Sequence, residues 1–213
     1  VRVVVLRGAG KAFCAGADLR ALRAQDDVPW VLRQLTSALH QAILALAELP
    51  QPVLAALGGV AAGGGLGLAL AADLVVAAAG ARLTPAFIKL GLPPDSGTTY
   101  QLVRLLGEKK AFELAALSPV LSAEEARAWG LVNRVVPDEN LDEAVAEWAG
   151  QLAAGAPLGL ARTKQLVRAS LDRPLLAQLE AESLGIVANS RTRDFAEGVA
   201  AFLEKRAPRF EGI

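Results

Sequence analysis

The sequence is poor in the residues that form disulfides and zinc centres. Its 213 residues include one Cys and one His. A single Cys excludes an internal disulfide framework and fits the reducing conditions of the cytoplasm. Because zinc sites in proteins draw several ligands from Cys and His, a metal centre of that kind is excluded as well.

The chain also lacks an excess of charge and a long uninterrupted apolar segment. Its 22 basic and 22 acidic side chains cancel, so no broad field attracts nucleic acid or an anionic membrane. The most apolar stretch, residues 53–79, is broken by repeated glycines and by Asp73, whereas a membrane-spanning helix needs about 20 largely apolar residues. The first residues do not resemble a secretory signal, because Arg2 and Arg7 flank a run of Val and Leu. We therefore expect a cytoplasmic protein that binds neither nucleic acid nor membrane.

The first half of the chain alternates between strand and helix patterns. Apolar, Val-rich runs at residues 1–6, 52–57 and 74–78 predict short buried strands. Helical spacing of apolar residues predicts helices at 31–49 and 66–72. Such an alternation favours an α/β fold with a mainly parallel sheet.

The second half is almost entirely helical in pattern. Apolar spacing predicts helices at residues 96–106, 141–153, 157–171, 174–189 and 193–205. A capping box formed by Ser122 and Glu125 predicts one more helix start. We therefore divide the chain into an α/β core with the active site, residues 1–136, and a helical C-terminal region, residues 137–213.

Several short motifs, taken in order, resemble the crotonase (enoyl-CoA hydratase/isomerase) superfamily. They are residues 8–19 (GAGKAFCAGADL), 52–65, which end in three glycines, 81–94, 121–132 and 197–206. One Gly-rich motif alone is a weak signal, but the ordered set covers nearly the whole chain and is specific. The resemblance implies the crotonase spiral of β-β-α units with a helical C-terminal region. Members of the superfamily also carry a strand pair and a helix in front of this region, and we expect these N-terminal elements to be missing here.

The resemblance further implies an acyl-CoA thioester as substrate. Negative charge develops on the thioester oxygen during the reaction, and two backbone N–H groups stabilise it at positions matched here by Ala17 and Gly64. Glycines directly before a helix support this role for Gly64, because they allow close backbone approach and a helix N-terminus attracts negative charge. The alternative is that these glycines serve only turns and tight packing.

Two carboxylates that hydratases of the superfamily use are missing. One Glu follows the third glycine by two residues, where this chain has Gly67, and the other occupies the position of Phe87. Hydration activates a water molecule and delivers a proton to carbon, which suits two carboxylates. Ordinary hydratase activity is therefore expected to be poor.

One acid is present where hydratases usually have Gly, in the segment Pro94-Asp95-Ser96-Gly97. This segment and residues 86–92 (AFIKLGL) are similar to the 1,2-epoxyphenylacetyl-CoA isomerase type of the superfamily. That resemblance implies double-bond or ring-epoxide isomerisation through a thioester enolate, with Asp95 as the acid/base. We expect the carboxyl of Asp95 to be buried. The alternative for Asp95 is a cap on the helix that begins near Ser96.

The resemblance places the contacts with CoA in two parts of the chain. The matching residues are Lys11, Ala15, Asp18, Leu19, Arg20, Phe202 and Lys205. The alternative for each cation is a solvated surface charge, and for Phe202 a core or interface contact. Asp18 is expected to fix its turn, and His40 to be a surface residue rather than a catalytic one. We expect no metal, no cofactor beyond the CoA moiety of the substrate, and a homotrimer or a hexamer, as in relatives.

Three other functions compete with this one, and the first of them is rejected because it lacks a base. A serine hydrolase would use Ser96, because Clp-type proteases share the spiral fold, but no His follows Ser96 to act as its base. A non-catalytic acyl-CoA- or RNA-binding protein would account for the missing Glu pair, although zero net charge disfavours RNA. A hydratase with weak or atypical activity, which uses Asp95 alone, is the third.

Overall fold

The structure, a computed structural model, describes residues 1–213. The strands are β1 (Val4–Arg7), β2 (Val53–Leu57), β3 (Val60–Ala62), β4 (Leu74–Ala78), β5 (Arg82–Thr84), β6 (Leu121–Ser122) and β7 (Arg134–Val136). The helices are α1 (Leu19–Arg23), α2 (Val28–Glu48), α3 (Gly64–Ala71), α4 (Thr98–Leu117), α5 (Ala123–Ala128), α6 (Leu141–Ala154), α7 (Pro157–Ala169), α8 (Leu175–Asn189) and α9 (Arg193–Glu204). No helix combines the length and the hydropathy of a membrane span.

The strands form two small sheets. The first has the order β1-β2-β4-β7, and the second has the order β3-β5-β6. The pairs β2–β4, β4–β7 and β3–β5 are parallel, whereas β5–β6 is antiparallel. Every residue of β2 is buried, as is typical of a parallel strand that is covered on both faces. The predicted α/β class with a mainly parallel sheet is confirmed.

The chain divides into two compact units. The larger unit contains Val5–Glu48 and Val53–Val145, and the smaller contains Val1–Val4, Leu49–Pro52 and Ala146–Ile213. In the larger unit, an apolar core surrounds β2, β3 and α3. Its most deeply buried large side chains include Leu57, Leu66, Leu83, Leu102 and Leu114. This core fixes the turn between β3 and α3.

The smaller unit is held together by its own polar contacts. The Lys164 ammonium is buried and donates to the backbone carbonyl of Gln51 at 3.0 Å. The buried Asp194 carboxylate accepts from the N–H groups of Glu211 and Gly212 at 2.7 and 2.9 Å. The two bonds to Asp194 fasten the last residues of the chain to the start of α9.

Candidate functional site

One wall of the site is the Gly-rich loop, residues 8–18, which lies along β3. The Cys14 N–H donates to the carbonyl of Val60 at 3.0 Å, and the Ala62 N–H donates to the carbonyl of Cys14 at 2.9 Å. A Cβ added to Gly65 would lie 2.7 Å from the Cβ of Cys14. The loop is therefore fixed tightly against the turn that begins α3.

The two predicted oxyanion donors follow glycines that touch each other. Gly16, with a φ of 90°, precedes Ala17, and Gly63 precedes Gly64 at the first position of α3. A Cβ added to Gly16 would lie 3.1 Å from the carbonyl oxygen of Ala62 and 3.8 Å from the Cα of Gly63. The backbone hydrogen bonds of the chain use neither the Ala17 N–H nor the Gly64 N–H. Neither N–H is therefore used by the backbone of the chain, and the one of Gly64 lies at the N-terminus of a helix, where negative charge is favoured. The role of Ala17 and Gly64 as oxyanion donors stays a prediction.

Asp18 holds the turn that carries Ala17. Its Oδ1 accepts from the backbone N–H groups of Arg20 and Ala21 at 2.9 and 3.0 Å, so it caps α1. The prediction that Asp18 fixes the turn is confirmed. The other residues of this segment that were matched to CoA contacts are exposed: Lys11, Ala15, Leu19 and Arg20. Their contact with CoA stays a prediction.

Asp95 lies in the loop before α4 and does not cap that helix with its side chain. Its Oδ1 is 2.7 Å from Nε2 of His40, and its Oδ2 accepts a long hydrogen bond, 3.4 Å, from Oγ of Ser96. The cap position is Gly97, which makes no side-chain cap bond, and only the backbone carbonyl of Asp95 accepts from the Thr98 N–H. The Asp95 side chain is 31% exposed. The expectation of a buried carboxyl is therefore wrong, because the loop places it beside the exposed imidazole of His40 on α2, where solvent also reaches it.

Ser96 connects Asp95 to the N-terminus of α3. Ser96 is 2% exposed and has a φ of 58°. Its Oγ lies 3.1 Å from the point that a Cβ of Gly64 would occupy, and the Cδ2 of Leu39 lies 2.9 Å from the same point. The acid of the loop and a predicted oxyanion donor are thus separated by one side chain.

Neither hydratase Glu position carries a carboxylate, and one of them has no room for a side chain. A Cβ added to Gly67 would overlap the carbonyl oxygen of Ser96 and would lie 2.8 Å from the Cβ of that residue. Phe87 is partly buried and begins a short 3₁₀ turn, after Ala86 with a φ of 61°. The loop that presents Asp95 thus occupies the space beside Gly67.

The structure brings His40 to the site, which the sequence did not indicate. The imidazole is 47% exposed, as expected for a surface residue, yet it contacts the carboxylate of Asp95. The pair joins α2 to a loop 55 residues further on. A single sequence carries no signal for such a pairing. The one local indication is that Leu39, the neighbour of His40, belongs to the apolar pattern of α2.

The order of these groups argues against a serine hydrolase. A catalytic serine needs a His as its hydrogen-bond partner, with the carboxylate on the far side of the imidazole. Here the Asp95 carboxylate lies between His40 and Ser96, and the Oγ of Ser96 contacts that carboxylate.

Phe202 and Lys205 lie at the end of α9, in the smaller unit. Phe202 is 82% exposed and lines an apolar groove of about 620 Å³, and Lys205 ends the helix with a φ of 54°. The role of these two residues in CoA binding stays a prediction. Nearby, two hydrogen bonds from Arg206 and one from the Arg209 N–H lower the pKa of Glu197 to about 2.

The similarity to known proteins extends over the whole chain. Residues 1–213 match the family described as enoyl-CoA hydratase/isomerase. The 1,2-epoxyphenylacetyl-CoA isomerase of Escherichia coli (strain K12) is 41% identical, and the match covers 100% of this chain and 82% of that relative.

Two solved structures show the same fold. The enoyl-CoA hydratase from Polaromonas sp. JS666 has a TM-score of 0.95 and 39% identity, over 99% of this chain and 82% of that chain. The enoyl-CoA hydratase from Bacillus anthracis has a TM-score of 0.94 and 37% identity, over 100% of this chain and 82% of that chain. The predicted crotonase fold is therefore confirmed, and the chain belongs to the enoyl-CoA hydratase/isomerase family.

Proposed function

We propose that this protein is an acyl-CoA isomerase in which Asp95 is the acid/base. The observation that carries the proposal is the contact of Ser96 with both the Asp95 carboxylate and the Gly64 position. Asp18, the other carboxylate beside the predicted donors, already caps α1 with its Oδ1. Both Glu positions of the hydratases lack a carboxylate, at Gly67 and Phe87.

The reaction needs one carboxylate and one oxyanion site. In a 3-enoyl-CoA, the Asp95 carboxylate takes a proton from C2, and the electron pair moves to the thioester oxygen as a dienolate. The N–H groups of Ala17 and Gly64 stabilise that charge, by about 3–4 kcal/mol per donor. The carboxylic acid of Asp95 then returns the proton to C4, which gives the 2-enoyl-CoA and restores the carboxylate. Isomerisation of a ring epoxide would use the same oxyanion site with less proton transfer.

Hydration of a 2-enoyl-CoA is the second candidate, because the structure adds an acid/base group that the sequence did not predict. His40 and Asp95 form a pair at 2.7 Å. Such a pair could take a proton from water and supply one to carbon. The similarity to proteins named as an epoxyphenylacetyl-CoA isomerase and as enoyl-CoA hydratases is compatible with both candidates.

Substrate turnover by wild type and by Asp95→Asn tests the proposal. We expect wild type to move the double bond of a 3-enoyl-CoA, and Asp95→Asn to lose about 10²–10⁴-fold in kcat while acyl-CoA still binds. Bond migration by Asp95→Asn at the wild-type rate would overturn the proposal. Faster conversion of crotonyl-CoA to its hydrate than migration of a 3-enoyl bond would favour the second candidate. Binding without hydrogen exchange at C2 would indicate a non-catalytic protein.

The CoA contacts and the assembly are part of the same proposal. Lys11 and Arg20 supply cations beside the Gly-rich loop, and Phe202 and Lys205 supply an aromatic face and a cation at the end of α9. A homotrimer, or a hexamer of two trimers, would cover the apolar side chains that the smaller unit exposes. No cofactor beyond the CoA moiety is needed for either candidate reaction.

A further inference from the structure

The pairing of His40 with Asp95 has a consequence for the proton-transfer step. We infer that His40 is a positioning residue, which holds the Asp95 carboxylate so that Oδ2 carries the proton between the carbon atoms of the substrate. The inference rests on the proposed isomerase function and adds a residue to it. His40 is the only His of the chain, so its state can be measured without interference from another imidazole.

The carboxylate needs such support because it lies on an irregular loop. Ser96 and Gly97, which follow Asp95, both have left-handed backbone angles, with φ values of 58° and 67°. A catalytic group works only when its geometry is held closely, and sites on loops are less well fixed than sites on helices. A contact from a regular element would therefore fix the rotamer of Asp95.

The helix α2 provides that contact. His40 lies well inside this helix of 21 residues, and its neighbour Leu39 contacts the position of Gly64. The helix also packs against α1, which follows the turn carrying Ala17, and against α3. The element that holds Asp95 thus also touches the surroundings of both predicted oxyanion donors.

The two oxygens of Asp95 are not equivalent. Oδ1 is 2.7 Å from Nε2 of His40, which is a short hydrogen-bond distance, whereas Oδ2 has only the long 3.4 Å contact with Ser96. With Nε2 as the donor, Oδ1 is occupied whether Asp95 is a carboxylate or a carboxylic acid. Oδ2 is then the oxygen that accepts the proton from C2 and returns it to C4.

Three substitutions on α2 test the inference by steady-state kinetics with a 3-enoyl-CoA. His40→Ala removes the donor, and we expect kcat to fall by up to about 100-fold, since a displacement of a reacting group by about 1 Å can cost that much, with little change in KM. His40→Gln keeps an N–H group near the position of Nε2 and should recover most of the lost rate. Gln41→Ala, at the exposed neighbouring position, should behave as wild type.

The fall in kcat at nearly unchanged KM and its recovery in His40→Gln are the readouts that a purely structural role would not give. A nitrogen-15 NMR spectrum of the lone imidazole tests the hydrogen bond on which the inference depends. We expect the proton of neutral His40 to reside on Nε2 in wild type, and both tautomers to be populated in Asp95→Ala. This measurement on wild type needs no substitution, so it can overturn the inference even if His40→Ala does not fold. A proton found on Nδ1 alone would overturn the inference.

The outcomes separate the inference from the function on which it rests. If Asp95→Asn abolishes turnover while His40→Ala turns over as wild type, His40 has no positioning role and the isomerase proposal stands. If Asp95→Asn retains turnover, the proposed function itself is wrong.

Discussion

At the scale of single residues, Gly67 shows how one missing Cβ limits which acid the site can use. The carbonyl and the Cβ of Ser96 lie directly over the Cα of Gly67. A Glu at this position would displace the loop that presents Asp95. The absence of the hydratase Glu and the presence of Asp95 are therefore linked, because the loop that carries Asp95 and a Glu side chain at position 67 would need the same space.

This close contact predicts opposite effects for the same substitution at two helical glycines. Gly67→Ala in α3 should destabilise the protein by about 1–3 kcal/mol, because the added methyl group overlaps the backbone of Ser96. Gly150→Ala in α6, where an added Cβ meets nothing within 4 Å, should stabilise it by up to about 1 kcal/mol. Denaturant unfolding at equal protein concentration measures both. A Gly67→Ala variant as stable as wild type would contradict the exclusion of Glu by the loop.

The residues of the site differ in how far the sequence predicts them. Local motifs carry Asp18 and Asp95, so the sequence indicates both positions, and for Asp18 also the role in its turn. Whether a carboxyl is buried depends on the path of the loop around it, and this is why the predicted burial of Asp95 is wrong. His40 contacts a residue 55 positions away, and only the folded chain shows such a contact.

At the scale of elements, the length of a helix or strand decides whether the sequence pattern predicts it. The helices α2, α3 and α6 to α9 and the strands β1, β2 and β4 follow apolar patterns and lie close to their predicted bounds. The helix α4 does not, because it continues to Leu117 beyond the predicted segment 96–106. The strands β3, β5 and β7 have three residues each, too few for a period to show. Gly107, which directly follows the helix predicted at 96–106, has a φ of 74° and breaks α4 into two helical segments, and the apolar spacing does not predict the second of them.

An ion pair at the C-terminal helix α9 should make the stability of the protein depend on pH in the acid range. Hydrogen bonds from Arg206 and from the Arg209 N–H lower the pKa of Glu197 from 4.5 to about 2. A carboxyl with a lowered pKa stabilises the fold fully above its unfolded value, and this contribution is lost as the pH falls from 4.5 towards 2. We therefore expect the Tm of wild type to fall over this range more steeply than that of Glu197→Gln.

Thermal melts followed by circular dichroism measure the Tm of both proteins from about pH 6 to about pH 2, a range that spans the unfolded and the folded pKa of Glu197. Glu124→Gln is the matched control, because Glu124 forms an exposed ion pair with Arg127 three residues on, and such pairs contribute little. Its slope should stay close to that of wild type. Equal slopes for wild type and Glu197→Gln would show that the ion pair with Arg206 does not stabilise the folded state.

At the scale of the whole molecule, the smaller unit exposes several large apolar side chains that share one groove, and contiguous exposed apolar patches are typical of interaction sites. Ile186, Phe195, Phe202 and Leu203 are 73%, 52%, 82% and 73% exposed, and all four line the apolar groove of about 620 Å³. Side chains of this size gain free energy when they leave water. A second copy of the chain would cover them, as the expected trimer or hexamer requires.

Light scattering after size exclusion tests this expectation. Wild type should elute with a mass three or six times that of the 22.1 kDa chain, and Phe202→Asp should shift towards smaller species, because a charge in a buried apolar contact is costly. Since Phe202 is 82% exposed in the single chain, the substitution should leave the fold of the chain intact, which circular dichroism checks. Gln165→Asp adds the same charge at an exposed polar position and should keep the wild-type mass. A wild-type mass of one chain would mean that the groove is not an interface between copies.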